Sequence, residues 1–305
     1  MNVIEVERVT KTFGTFRAVD DLSFTVPQGC IHGFIGPNGS GKTTTIRMIM
    51  HIYHPDLGTG HVRVLGQETY QAANDRIGYL PEERGLYKKM KVREVIRFCA
   101  ELKGLRDYKQ AVQQWLARMD LEAWAEKKVE VLSKGMSQRV QFIAAVIAQP
   151  ELIILDEPFS GLDPVNADLL RNTVLELRRN GATIIFSTHD MNMAERMCDI
   201  LLMIHKGKKV LDGTLESIRA NYGQDSVRVR MDGNHVDFDR MPGVAKVSDF
   251  GRFKELRLHE GTDSQDVLAN LIKLGRVTHF ELASPSLHEI FVRIAGPAAQ
   301  EHNHA

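Results

Sequence analysis

Two rhythms of apolar residues alternate along the chain. Short runs bounded by charged or turn-forming residues (Cys30 to Ile35, Ile77 to Leu80, Leu152 to Leu155, Thr183 to Thr188 and Ile200 to Ile204) read as buried strands. Between them the spacing becomes helical. Ile46, Ile49 and Met50 mark a first helix, Val92, Val95, Ile96, Cys99 and Leu102 fall on one face of a second, and Val112, Trp115, Leu116 and Met119 on one face of a third. Residues 90 to 130 therefore read as an inserted helical subdomain, taken as about 88–140, and Val140 to Ile147 continues as an apolar helix. Residues 2 to 9 and 22 to 26 carry strand-like residues with Lys11 to Gly14 turning between them, and His61 to Gly66 alternates as a strand. These predict an antiparallel sheet laid beside an α/β core.

Beyond about residue 224 the texture changes. Val227 to Met231 alternates strictly, as do parts of 244 to 258, while Ser264 to Leu274 and 286 to 294 read as helices and 277 to 282 as a strand. The expected organisation is a main α/β domain, 1–222, closed by a helix at 214 to 222, a small α+β domain, 223–295, and a disordered tail, 296–305.

Composition narrows the class. The 305 residues are 43% apolar and 26% charged, enough for one large core or two smaller ones. Lys plus Arg and Asp plus Glu both number 39, so no net field draws the chain to nucleic acid or to an anionic membrane. The longest apolar stretches, such as Phe142 to Ala148, fall short of the roughly 18 to 20 residues of a membrane span. The opening MNVIEVERVTK has no signal-peptide core, so a soluble protein that stays where it is made is expected. Cys30, Cys99 and Cys198 are far apart among apolar neighbours and read as reduced core thiols.

The chemistry starts at Gly36-Pro37-Asn38-Gly39-Ser40-Gly41-Lys42-Thr43, which fits G-x-x-x-x-G-K-[ST] between a strand and a helix. Its glycines let successive N–H groups point inward, and the helix opening at Lys42 aims its positive end at the same spot, so an anion is expected there. Lys42 would reach the β- and γ-phosphates of a nucleotide, and the Thr43 hydroxyl would hold Mg²⁺. Phe13 has two readings, a core or turn aromatic or a platform for a nucleobase. Ser133 is placed as a helix N-cap. Asp156 and Glu157 sit at a strand's carboxyl end, where open α/β sheets place their chemistry, and adjacent strand residues face opposite ways, so the two are expected to do different jobs. The strand 183 to 188 delivers His189.

Taken in order, these segments strongly resemble the ATPase subunits of ABC transporters: a Walker A loop (Gly36 to Thr43), a signature (Leu132 to Met136), a Walker B strand (Leu152 to Glu157), a D-loop (Ser160 to Asp163) and a switch histidine (His189). The resemblance spans roughly residues 2 to 222. It implies a P-loop ABC ATPase core with an antiparallel β subdomain and an inserted helical subdomain, with ATP and Mg²⁺ as cofactors. Nucleotide would be held by Phe13, Gly36, Pro37, Asn38, Gly39, Ser40, Gly41, Lys42, Thr43 and Thr44, and the metal by Thr43, Glu82 and Asp156. Glu157 would act as general base and His189 would bond the γ-phosphate, with Lys42 completing the catalytic set. Ser133 and Gly135 would meet the γ-phosphate bound by another subunit, so that ATP joins a dimer.

Three positions, in two motifs, depart from the pattern. Lys134 and Met136 replace the more usual Gly and Gln of the signature, and Glu82 occupies the place of a Gln that touches Mg²⁺. The stretch Tyr79 to Tyr87, the signature LSKGM and the segment Pro285 to Phe291 are similar to the branch that serves exporters of drugs, sodium or other small solutes. Transmembrane permease subunits and a second copy, or a homologous ATPase subunit, are the partners implied, with no nucleic acid, at the inner face of the cell membrane. The alternative is a soluble ABC ATPase acting on ribosomes or nucleic acid. Such proteins usually carry two cassettes or a very long coiled coil, whereas one cassette occurs here with only about 90 residues between Lys42 and Ser133. A regulator without hydrolysis is disfavoured by the presence of Asp156, Glu157 and His189.

Overall fold

In the computed structural model, the opening strands pair as a long hairpin, β1 (Asn2–Phe13) with β2 (Phe16–Pro27). The structure describes residues 1–68, 76–83, 85–222, 226–232, 236–259, 261–283 and 285–296. Lys11 to Phe13, expected as a turn, are instead paired, down to Phe13 opposite Phe16. Gly14, with φ +59°, reverses the chain in two residues, and this shifts the turn to the hairpin's very tip. After β3 (Ile31–Ile35), β4 (His61–Val64) adds to β1, giving an antiparallel sheet β2-β1-β4.

The fully apolar runs build the second sheet. β3, β5 (Ile77–Leu80), β6 (Leu152–Asp156), β7 (Thr183–Thr188) and β8 (Ile200–His205) run parallel, and β9 (Lys208–Gly213) closes one edge antiparallel, in the order β5-β6-β7-β3-β8-β9. Every residue of β3, β6 and β7 is buried, which is why they read as continuous apolar runs without alternation. This order aligns the carboxyl ends of β5, β6, β7 and β3, and the loops after them are neighbours.

Helices cover both faces. α1 (Lys42–Ile49) carries Ile46 and Ile49 into a core shared by Ile4, Leu22 and Phe24 of the hairpin and Phe34, Ile154 and Ile185 of the parallel sheet. On the other side, α2 (Val92–Leu102), α3 (Tyr108–Arg118) and α4 (Lys134–Val146) form the helical insertion. Their Val95, Ile96, Leu116 and Phe142 join Leu80, Ile153 and Phe186 in one continuous core. Leu102 is the exception among the expected stripe residues. It closes α2 with its side chain 66% exposed, because burial along this helix stops at Ala100. Fully buried rings such as Phe142 and Phe186 anchor this layer, and truncating one to Ala costs about 3–5 kcal/mol.

Local chemistry sets the helix starts. Ser133 accepts the Met136 N–H at 3.2 Å and caps α4, and Asp163 accepts the Asn166 N–H at 3.1 Å, with Pro164 opening α5 (Pro164–Arg179). Asp190 accepts from Asn192 and Met193 and caps α6 (Met191–Met197). The three cysteines are free, and burial pushes the Cys30 thiol up to about 11.

The chain divides into two compact units, Met1–Thr214 and one beginning at Leu215. The division lies ahead of the expected boundary at 222, so α7 (Leu215–Asn221) groups with the second unit. Arg219 Nε of α7 donates to the Pro285 carbonyl at 3.1 Å, and Arg293 donates to the carbonyl of Tyr222, just after the helix, at 3.2 Å. The second unit holds β10 (Ser226–Asp232), β11 (Val244–Asp249), β12 (Lys254–Leu258) and β13 (Arg276–Ala283) in an antiparallel sheet of order β11-β12-β10-β13, with α8 (Ser264–Leu274) packed on β13 and α9 (Leu287–Ala295) after it. Residues 297–305 of the tail lie outside the described residues. Among the described residues no helix is long and apolar enough to cross a membrane.

Candidate active site

The loop between β3 and α1 is built around glycines that nothing larger could replace. Gly36 has φ +149°, and a Cβ there would lie 2.2 Å from the Ile204 carbonyl oxygen. At Gly41, with φ +109°, it would lie 2.5 Å from the Ala18 carbonyl oxygen. The loop thus packs its own backbone against β8 and the hairpin, which fixes its shape. Lys42, 6% exposed, donates through Nζ to the Gly36 carbonyl at 2.7 Å and the Pro37 carbonyl at 3.1 Å. Burial lowers its pKa, opposed by the carboxylates of Glu157, Asp156 and Glu82.

Asn38, Gly39, Ser40, Gly41, Lys42, Thr43 and Thr44 line a cavity of about 280 Å³ together with Glu82, Glu157, Phe16 and Ala18. Glu82 arrives from the loop after β5 and Glu157 from the end of β6. Asp156, the last residue of β6, is 1% exposed. Its Oδ1 accepts from the Ser187 hydroxyl and lies 3.4 Å from Thr43 Oγ1, while Oδ2 is buried with no protein partner among the described residues. A buried carboxylate with one oxygen beside the Thr43 hydroxyl and the other without a protein partner among the described residues, next to a cavity that Thr43 and Glu82 line, is an oxygen donor set that fits a hard divalent cation. Mg²⁺ suits it.

Glu157 points elsewhere, for a different reason from the expected one. β6 ends at Asp156, and Glu157 takes the left-handed conformation with φ +49°, so a turn and not the strand pleat separates the two carboxylates. Its Oε1 sits 3.0 Å from His189 Nδ1. Burial raises the Glu157 pKa, and the bond to His189 and the charge of Lys42 pull it back. A carboxylate raised by desolvation beside a buried lysine at the phosphate loop is suited to accept a proton from water.

Ser133 and Gly135 do not line this cavity. Gly135 lies in ordinary helix, and a Cβ there would meet only Asn166 Nδ2 and Leu162 Cδ2, both at 3.5 Å.

With this geometry fixed, likeness to known proteins becomes informative. A family model described as ABC transporter matches residues 19–160, one described as the C-terminal domain of DrrA1-3-like ATP-binding proteins matches residues 213–295, and one described as an AAA domain, putative AbiEii toxin of a type IV toxin–antitoxin system, matches residues 126–195. The ABC transporter ATP-binding protein YhaQ of Bacillus subtilis is 40% identical over 96% of this chain and 99% of its own length. The chain belongs to the ATP-binding proteins of ABC transporters.

This ABC ATPase is also 30% identical to the linearmycin resistance ATP-binding protein LnrL of Bacillus subtilis, over 96% of this chain and 98% of that protein. A solved structure described as the ATP-binding subunit of an ABC transporter superposes with a TM-score of 0.68 at 32% identity, covering 72% of this chain and 93% of that one. The fold is the P-loop ABC ATPase fold, and the family binds and hydrolyses ATP.

Two aromatics at the tip of the hairpin differ in their place beside this cavity. Phe13, 42% exposed, packs edge-on against Tyr53 with ring centroids 5.2 Å apart and is not among the residues lining the cavity. Phe16, directly across the hairpin from it and 60% exposed, is. The signal for Phe16 was present as a second aromatic three residues on, across a two-residue turn at Gly14.

Proposed function

We propose that this ABC ATPase is the energy-coupling subunit of an exporter, in which two copies close on ATP while docked on membrane permease subunits at the inner face of the cell membrane. The observation that carries the proposal is the split of the nucleotide machinery. The phosphate loop, Glu82, Asp156, Glu157 and His189 converge on one place, whereas Ser133 and Gly135 stand apart at the N-terminus of α4. Among the described residues nothing crowds a Cβ at 135 closer than 3.5 Å, which supports a ligand or partner approaching from outside as the reason for glycine there.

In this reading the loop N–H groups and Lys42 bind the β- and γ-phosphates, Lys42 exchanging its bonds to the Gly36 and Pro37 carbonyls for phosphate oxygens. Thr43, Asp156 and Glu82 would hold Mg²⁺, which would neutralise charge on the phosphates. Glu157 takes the proton of the attacking water, and His189 orients Glu157 and touches the γ-phosphate. Phe16, which lines the cavity, supplies an aromatic surface for the base, with Phe13 opposite it in the hairpin as the further stacking candidate. Ser133 and Gly135 of one subunit close on the γ-phosphate held by the other. The export direction is supported by relatives named for linearmycin resistance and for Nod factor export. The unit from Leu215 onward is read as a separate small domain appended to the ATPase.

Mixing two inactive variants tests the shared site. Lys42→Ala disables the phosphate loop and Ser133→Arg blocks the signature, so neither variant alone has an intact site. A mixed dimer restores one, because the loop of the Ser133→Arg subunit faces the signature of the Lys42→Ala subunit. ATPase activity, measured with permease present, is expected to peak near equal amounts. A flat profile despite demonstrated subunit exchange overturns the arrangement, provided that wild type mixed with the double mutant retains activity, as a site built within one subunit requires.

A further inference from the structure

Ser187 is fully buried in β7, directly opposite Asp156 in the parallel register. Its hydroxyl donates to Asp156 Oδ1 and accepts the Glu157 N–H at 3.1 Å, and its carbonyl accepts the same N–H at 3.2 Å. We infer that Ser187 is a positioning residue for hydrolysis, one hydroxyl fixing both the metal-facing carboxylate and the backbone that aims the base. This inference rests on the roles proposed above for Asp156 and Glu157.

A serine hydroxyl has one proton and two lone pairs. Here the proton goes to Asp156 and a lone pair takes the Glu157 N–H, so neither the Asp156 carboxylate nor the Glu157 backbone can shift without breaking a buried bond. The choice of oxygen matters for the cation. Oδ1, the oxygen that Ser187 holds, is the Asp156 oxygen 3.4 Å from Thr43 Oγ1, the hydroxyl proposed to hold the metal, so Ser187 fixes the edge of the carboxylate beside the metal site, while Oδ2 has no protein partner among the described residues. The backbone bond matters for the base. Glu157 sits at φ +49°, a conformation that a residue of its type keeps only where the surroundings hold it, and Ser187 supplies two acceptors for its N–H. Two residues further along the same chain, His189 reaches the Glu157 carboxylate. The loops after β6 and β7 are thereby tied at three points: Ser187 to Asp156, Ser187 to the Glu157 backbone, and His189 to the Glu157 side chain.

Ser187→Ala removes the hydroxyl with almost no change in volume. A hydrogen bond to a charged group of this kind corresponds to a fall in kcat of about ten- to a hundredfold, with KM for ATP expected to stay within about twofold. Mg²⁺ dependence gives a second readout that needs no turnover. In a Glu157→Gln background, binding of a fluorescent ATP analogue titrated with Mg²⁺ should need about fivefold or more metal for half-saturation once Ser187→Ala is added. Ser187→Thr, which keeps the hydroxyl, should recover most of both effects; Ser187→Cys, a near-isostere with a weak donor, should fall between them and serves if Ser187→Ala does not fold. A purely structural serine would lower the thermal midpoint while leaving kcat and the Mg²⁺ titration within twofold, and that result overturns the inference. Asp156→Asn and Glu157→Gln, assayed alongside, separate the two levels. If both keep turnover, the reading of the site fails and the inference with it; if both lose turnover while Ser187→Ala keeps it, the inference alone is wrong.

Discussion

Glu157 Oε1 and His189 Nδ1 lie 3.0 Å apart, so the raised carboxyl and the switch ring share one contact. Burial pushes Glu157 above its ordinary value of 4.5, and His189 is the first of the groups that pull it back. A base must be deprotonated to act, so the acid limb of kcat against pH should have its midpoint above 4.5. Removing the lowering partner leaves desolvation less opposed. His189→Ala should therefore move that midpoint further up while reducing the rate, and a single-turnover pH profile in which it stays put or falls would separate His189 from the base.

Phe16 reaches the cavity that the phosphate loop lines, and Phe13 rests on Tyr53. Phe16→Ala should weaken ATP binding about three- to tenfold, the range of an aromatic stacking contact, and leave binding of inorganic triphosphate unchanged. Isothermal titration with both ligands decides it. Unchanged ATP affinity would assign the base platform to Phe13 alone, which Phe13→Ala measures directly.

Glu82 faces the same cavity as Thr43 and Glu157, and its charge acts on Lys42. An anionic oxygen binds a hard cation more strongly than an amide oxygen does. Glu82→Gln should thus raise the Mg²⁺ concentration for half-maximal ATPase several-fold with an unchanged thermal midpoint. Identical Mg²⁺ curves would place this carboxylate outside the metal shell.

His32 is fully buried between Phe24 and Phe34, and neither ring nitrogen has a protein partner among the described residues. Desolvation lowers its pKa from 6.5 to about 4, with Asp212 opposing. Between those values the unfolded chain binds the proton that the folded chain refuses, so stability is full above pH 6.5 and declines as pH falls toward 4, by about 3 kcal/mol at most. His32→Phe should flatten that part of the stability curve. Urea unfolding at pH 7.5 and 5 measures the difference, and an equal loss in both proteins would clear His32 of responsibility.

Local order was legible in the sequence wherever neighbours along the chain determine it. The phosphate loop, the cap Ser133, and the apolar runs of β6 and β7 depend on residues a few positions apart, and turn geometry, capping and burial on both faces leave marks at that range. The resemblance added the order of the motifs and, with it, the family. Three features were decided only when distant segments met. β7 lies between β6 and β3, although β3 precedes both in the chain, and this sets Ser187 against Asp156. The left-handed turn at Glu157 is held by a strand thirty residues away, and its own neighbours do not announce it. Burial on α2 ends before Leu102, because how far a stripe is covered depends on the elements packed over it and not on its own period. Sequence pattern encodes which faces are apolar and where helices and turns begin; strand order and side-chain partners across a sheet follow from how those faces pack, a non-local free energy that no single window of residues contains.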